Sequence, residues 1–130
     1  MKILRFVLVA ALAAALAGCE SAPIQGIKGM FQSSPGQQDL ANGVKEFEDG
    51  NYAEASRLLQ SSLDQGLSSK SDQVRAHKYL AFIHCLSGRD ARCRNEFRTA
   101  LKIDPSFELA ANESGHPTWG PVFKSVKAKK

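Results

Sequence analysis

The residues able to do chemistry in this chain are its three cysteines, Cys19, Cys85 and Cys93, and its three histidines, His77, His84 and His116. Thiolates and imidazoles are ligands that zinc prefers, and a thiol beside an imidazole is the core of a nucleophilic site. The spacing supports neither use. A structural zinc site needs paired ligands such as C-x-x-C, and no two of these cysteines stand at that separation. The chain has no HExxH, no GxSxG and no phosphate-cradling P-loop. Its carboxylates are scattered along what read as helix surfaces, where solvation is their ordinary role. The sequence therefore points away from an enzyme, with no catalytic residue, no metal ligands and no cofactor to assign.

Cys19 differs because of what precedes it. Lys2 and Arg5 are followed by an apolar run from Phe6 to Ala17, closing in Leu16-Ala17-Gly18-Cys19. The two cations hold the N-terminus on the cytoplasmic side while the apolar run enters the bilayer. That run falls short of the ~20 apolar residues a spanning helix requires. Small residues precede Cys19, as a signal peptidase pocket demands. The pattern resembles a bacterial lipoprotein signal with its lipobox, which implies removal of residues 1–18 and lipidation of the Cys19 thiol. A soluble secreted protein with a chance cysteine is the plainer alternative. By the same resemblance, Glu20 stands where an aspartate would hold a lipoprotein at the inner membrane. The anchor is therefore expected in the outer membrane, facing the periplasm, with the inner membrane as the alternative.

Removal of the signal would leave 112 of the 130 residues, enough for one small domain. It takes two cations and no acid, so the formal net charge falls from +4 to +2. Basic and acidic residues then alternate, and only Lys124, Lys127, Lys129 and Lys130 form a one-signed tail. No nucleic-acid surface is expected. The tail reads as solvated, or as a weak contact for anionic lipid or a partner. Residues 19–38 are rich in Ser, Gly and Pro and read as a flexible tether. Ile24, Ile27, Met30 and Phe31 within it are incidental, or rest on the bilayer, a partner or the domain.

From Asp39 onward the apolar spacing is helical, and no period-two pattern persists. Two helix-pair units superimpose, at about 39–66 and 74–105. In the second, Leu80, Ala81 and Ile83 mark a first helix, with His77 a turn before and His84 a turn after. Gly88 breaks that helix. Cys93, Phe97, Ala100 and Leu101 mark one face of the next, which Asp104-Pro105 stops. In the first unit Gly43, Gly50, Tyr52, Ala55, Leu59 and Leu63 occupy the matching positions. Gly43 is expected against Ala55, letting two antiparallel helices approach closely.

These positions resemble the tetratricopeptide repeat. Leu80, Ala81, Cys93, Phe97, Ala100 and Pro105 fall at the family's key spacings, and the run Ala100-Leu101-Lys102-Ile103-Asp104-Pro105 is especially close. His77 and His84 replace the usual Trp and Tyr. The resemblance implies an all-α fold: two tetratricopeptide-like helix pairs forming a short α-solenoid, with a C-terminal cap over 106–130. Ala55 to Cys93 spans 38 residues, against a repeat period of about 34, and the excess is expected in a loop from Gly66 to Asp72. If the hairpin closes as the repeat implies, Cys85 and Cys93 meet across the Gly88 turn, and a disulfide would persist in the periplasm. The alternative is two small buried hydrophobes. Ser106 to Leu109 is expected to start a third short helix, and Pro121 a final one. Val122, Phe123 and Val126 of that last helix would cap the open apolar end of the array. Trp119 is either packed on the last helix pair or a partner anchor. Tyr52, His77, His84 and Phe123 join it as candidate partner contacts.

The repeat implies an adaptor, because stacked helix pairs offer a groove to an extended segment or helix of another protein. A sharper resemblance runs through the paired cysteines, Phe97 to Asp104-Pro105, Phe107-Glu108-Leu109 and the block from Gly115 to Phe123. This set is similar to a family of type VI secretion-associated lipoproteins (the TssQ-like family), over most of the mature domain. It implies an accessory role at a secretion apparatus in the envelope. Two other readings stand beside it. One is a small outer-membrane repeat lipoprotein of envelope or pilus assembly, although those relatives resemble longer arrays. The other is a peptidoglycan-binding or enzyme-regulating module.

Overall fold

The computed structural model describes residues 32–129, and its first helix begins earlier than the sequence pattern suggests. α1 (Pro35–Glu48) starts in a capping box. The Ser34 hydroxyl accepts from the Gln37 amide at 3.3 Å, and Gln37 Oε1 accepts from the Ser34 amide at 3.0 Å. Pro35 fits the first turn, where no amide donor is needed. Pro35 to Gln38, expected within the tether over 19–38, therefore belong to the helix. Gly36 lets this turn sit against the end of the next helix. A Cβ there would stand 3.0 Å from the Gly66 carbonyl oxygen and 3.1 Å from that of Ser62. The signal, Cys19 and the tether through Phe31 lie outside the described residues.

The remaining helices are α2 (Tyr52–Gln65), α3 (Lys70–Leu86), α4 (Asp90–Ile103), α5 (Ala111–Ser114) and α6 (Gly120–Lys127). Among the described residues there is no strand, and the fold is all-α. α1 packs along α2, and α3 along α4. The turns inside the two pairs are built alike. The Gly50 amide donates to the Phe47 carbonyl and that of Asn51 to Glu46, at 3.1 and 2.8 Å. Gly88 donates to Cys85 and Arg89 to His84, again at 3.1 and 2.8 Å. In both turns the glycine is left-handed, with φ of +82° and +69°, and the two bonds satisfy carbonyls that the helix end leaves open. The turns are 38 residues apart. The same offset relates Ala55 to Cys93, Leu59 to Phe97 and Ser62 to Ala100, and all six are 0% exposed.

Two details refine the expectation. At Gly43 the nearest side chain is that of Leu59: a Cβ at position 43 would lie 2.9 Å from Leu59 Cγ. The branched side chain fills the space that the missing Cβ leaves. The four residues in excess of the repeat period do not form a long loop. Ser69 caps α3 by accepting from the Asp72 amide at 3.3 Å, so only residues 66–69 connect α2 to α3. Three of the four go into α3, which has 17 residues where α1, α2 and α4 have 14 each.

α3 is the central element. Leu80 and Ile83 join Leu40, Val44, Ala55, Leu59, Leu67 and Ala76 in one apolar cluster. Ala81, Phe82 and Cys85 join Cys93, Phe97, Leu101, Leu109, Trp119, Phe123 and Val126 in another. The run from Leu80 to Cys85 is consequently buried all round, as a helix enclosed by others must be. After α4 the Asp104 carboxylate accepts from both the Ser106 amide and hydroxyl, at 2.9 and 2.6 Å. This turn redirects the chain, and the helix expected over Ser106 to Leu109 does not form. The segment runs irregularly, with Leu109 buried and Phe107 5.4 Å from Phe123. α6 does start at Pro121's turn, and its Phe123 and Val126 close the second cluster.

Candidate functional site

α2 and α4 flank α3 without touching one another. Between them lies a cleft of about 630 Å³, floored by Leu80 and His84 of α3. One wall is a stripe of α2: Ala53, Ser56, Arg57, Gln60, Ser61 and Asp64. These positions recur every three or four residues, so they share one helix face. Arg92 of α4 stands on the other side. The four-residue connection makes α2 and α3 antiparallel, so the first half of α2 lies beside the last turns of α3. Cationic groups gather at that end, where Arg57 and Arg92 stand near His84. The far end is acidic. Asp64 accepts from Gln60 at 3.1 Å, and Asp39 behind it accepts from the Ser61 hydroxyl at 2.6 Å. Arg57 is held by Glu54 through two bonds of 2.9 and 2.6 Å. Both side chains are exposed, so solvent screens this pair.

His84 is the unusual member. It is only 9% exposed, and its Nδ1 is buried without a hydrogen-bond partner. Burial foremost pushes its pKa below the usual 6.5, Arg89 pushes the same way, Glu96 opposes, and Arg92 adds a smaller downward push. The ring is therefore neutral at neutral pH. A buried N–H without an acceptor costs more than a bare lone pair, so the proton belongs on Nε2. His77, two turns earlier, has its Nδ1 2.6 Å from Glu96 Oε2 and ties α3 to α4.

The other candidate contacts fall elsewhere. Tyr52 opens α2, 40% exposed, with its ring 5.4 Å from Phe47. Phe47 in turn lies 5.1 Å from Tyr79, whose hydroxyl pKa is raised by burial and then by Glu113. Trp119 is 8% exposed, sandwiched between Phe82 at 4.2 Å and His116 at 3.4 Å. Its Nε1 donates to the Glu113 carbonyl at 2.9 Å. Of the two readings of Trp119, the structure gives the packed one. Phe123 is likewise internal, 5.2 Å from Phe97. Glu113 organises this corner, because its carboxylate also takes Lys78 at 2.6 Å and the Ala110 amide at 3.0 Å. Nothing in the spacing of Glu113 singled it out in the sequence.

Cys85 and Cys93 stand in disulfide contact across the Gly88 turn, their Cα atoms 5.2 Å apart. Among the described residues, no three His, Cys, Asp or Glu side chains gather as metal ligands. No described helix is long and apolar enough to cross a membrane. Comparison with protein-family models, with curated proteins and with solved structures gives no match to this chain. The cleft itself escaped sequence reading. His84 was singled out, but Arg92 and the polar stripe of α2 were not. Their signal was a second periodicity, polar rather than apolar, beside the face of Ala55, Leu59 and Ser62.

Proposed function

We propose that this chain is a lipid-anchored periplasmic adaptor, built of two tetratricopeptide-like helix pairs and a cap, that serves a type VI secretion system as an accessory component. The observation that carries the adaptor reading is the 38-residue register of two alike helix pairs. Their second helices, α2 and α4, flank an open cleft over α3. Such a frame has a recessed polar surface. The lipid reading draws on Leu16-Ala17-Gly18-Cys19, and outer-membrane residence on Glu20. The secretion reading draws on the resemblance of the block from Gly115 to Phe123, whose Trp119 and Phe123 close the second helix pair. A cap of this kind gives a short array a finished end.

Two strains test the reading. Cys19→Ala is expected to move the protein from the membrane to the soluble fraction. Deletion of the whole chain is expected to stop secretion of type VI effectors, and re-expression to restore it. Membrane retention of Cys19→Ala would reject the anchor. Unchanged effector release from the deletion strain would reject the secretion role.

A further inference from the structure

The cleft over α3 holds polar groups that the packing of the domain does not use. Arg92 is exposed at its wall, and no salt bridge engages it among the described residues. His84 is buried to nine-tenths and lines the cleft; its Nδ1 is enclosed without a partner, which leaves Nε2 as the nitrogen able to meet a ligand. α2 and α4 both begin at this end, and neither N-terminus has a side-chain cap. Glu54 and Asp90 stand in those first turns, and Glu54 already pairs Arg57, so of the two cleft cations Arg92 is the one left free among the described residues. We propose that the cleft receives an acidic segment of a partner protein, with a carboxylate meeting His84 Nε2–H and the Arg92 guanidinium. The proposal rests on the adaptor reading and names the chemistry of its partner.

Three features select this occupant. A neutral imidazole with its proton on Nε2 is a donor, and a guanidinium is only a donor, so the recess is complementary to an acceptor with negative charge. From Ala53 to Asp64 the wall runs about 16 Å at the helical rise, and an extended strand of about five residues covers that length. That suits a stretch of polypeptide rather than a small ion. Asp64 at the far end repels a second acid, so the segment is acidic at one end only. Ser56 and Gln60 between the ends are suited to backbone groups of an extended chain.

The test uses the full-length protein in detergent micelles, labelled with ¹⁵N at histidine. The probe is the peptide Glu-Glu-Ala-Ser-Lys, with Lys-Lys-Ala-Ser-Lys as control. The acidic peptide is expected to shift the His84 ring resonances saturably, and the basic peptide to leave them alone. Arg92→Gln, an exposed substitution, is expected to weaken binding roughly tenfold, as loss of a charged hydrogen bond does. Lys45→Gln on α1, away from the cleft, is expected to bind as the parent does. Absence of a saturable shift, equal affinity in Arg92→Gln, or equal response to the basic peptide would overturn the proposal. Displacement by soluble peptidoglycan fragments at lower concentration than the peptide would reassign the cleft to the cell wall. Failure here, with secretion lost in the deletion strain, rejects the cleft chemistry and leaves the adaptor reading standing. Binding here with normal secretion rejects the secretion role and leaves the cleft chemistry standing.

Discussion

The two helix pairs share a turn, a register and three fully buried positions, yet they cohere by different means. The first pair uses close approach. Gly43 admits Leu59, and the buried Ser62 hydroxyl is satisfied locally by donating to the Leu59 carbonyl at 2.7 Å. Its cluster is mostly aliphatic. The second pair uses bulk and a covalent link. Phe97 takes the place of Leu59, with ring contacts to Phe82 and Phe123 at 6.1 and 5.2 Å. Cys93 takes the place of Ala55 and reaches Cys85. One backbone frame thus has two solutions. The difference follows from surroundings: the first pair leans on α3, while the second must also carry the C-terminal cap with Trp119.

Truncating the equivalent large residues should expose that difference most strongly. Phe97→Ala is expected to cost about 3–5 kcal/mol and Leu59→Ala about 2–5 kcal/mol, since each opens a cavity at a site with no slack. The distinguishing readout is where the loss appears. In Phe97→Ala, denaturant should release the Trp119 fluorescence before the helical circular dichroism, because the cap loses its floor. In Leu59→Ala the two signals should fall together. Coincident transitions in both variants would mean that the pairs and cap form one cooperative unit, and the contrast between them would be only local.

The covalent link comes next in size. Cys85 and Cys93 enclose a short loop, eight positions apart. On the chain-entropy model such a loop stabilises by roughly 2–3 kcal/mol. The double variant Cys85→Ala with Cys93→Ala should lower the denaturation midpoint accordingly, and reducing agent should lower the midpoint of the parent but not of the variant. Two reactive thiols at these positions in denatured, unreduced protein from an oxidising compartment would break the comparison. The second pair would then be held by bulk alone.

The helix pairs were legible in the sequence because their signals are local and periodic. Leu80, Ala81, Phe97 and Ala100 fixed the faces, and Gly50 and Gly88 fixed the turns. Boundaries were legible only in part. Ser34 and Gln37 form a capping box whose signature was present three residues apart, but the surrounding Ser, Pro and Gly read as tether. The early start of α3 likewise hung on one hydroxyl, that of Ser69. The cap was legible as a need rather than as a shape, since the route from Asp104 to α6 is set by tertiary bonds of Lys78, Glu113 and Trp119. The cleft was the least legible part. It depends on α2 and α4 standing apart over α3, a distance that no single helix encodes.

The smallest expected effect concerns His84, whose counterpart in the first pair is Glu46, a carboxylate hydrogen-bonded to Asn51 Nδ2 at 2.7 Å. The first pair keeps that position half-buried and hydrogen-bonded, while the second keeps it buried with Nδ1 unpartnered. Burial foremost, then Arg89 and Arg92, lower the folded pKa of His84 below 6.5, with Glu96 opposing. Arg57 and Asp64 of α2 line the same cleft. Between the lowered value and 6.5 the unfolded chain therefore binds more protons than the folded one, so stability rises with pH across that window. The contribution is complete above 6.5, declines as pH falls below it, and stops changing once the folded ring also titrates. His84→Gln removes this dependence, and the other two imidazoles, His77 and His116, are present in both proteins and cancel. The gap in denaturation midpoint between parent and variant should therefore move against the parent when pH is lowered from about 7.5 to about 5. A gap that stays constant would mean that His84 accepts its proton inside the fold at no cost, through a partner for Nδ1. The second pair would then satisfy this position as fully as the first.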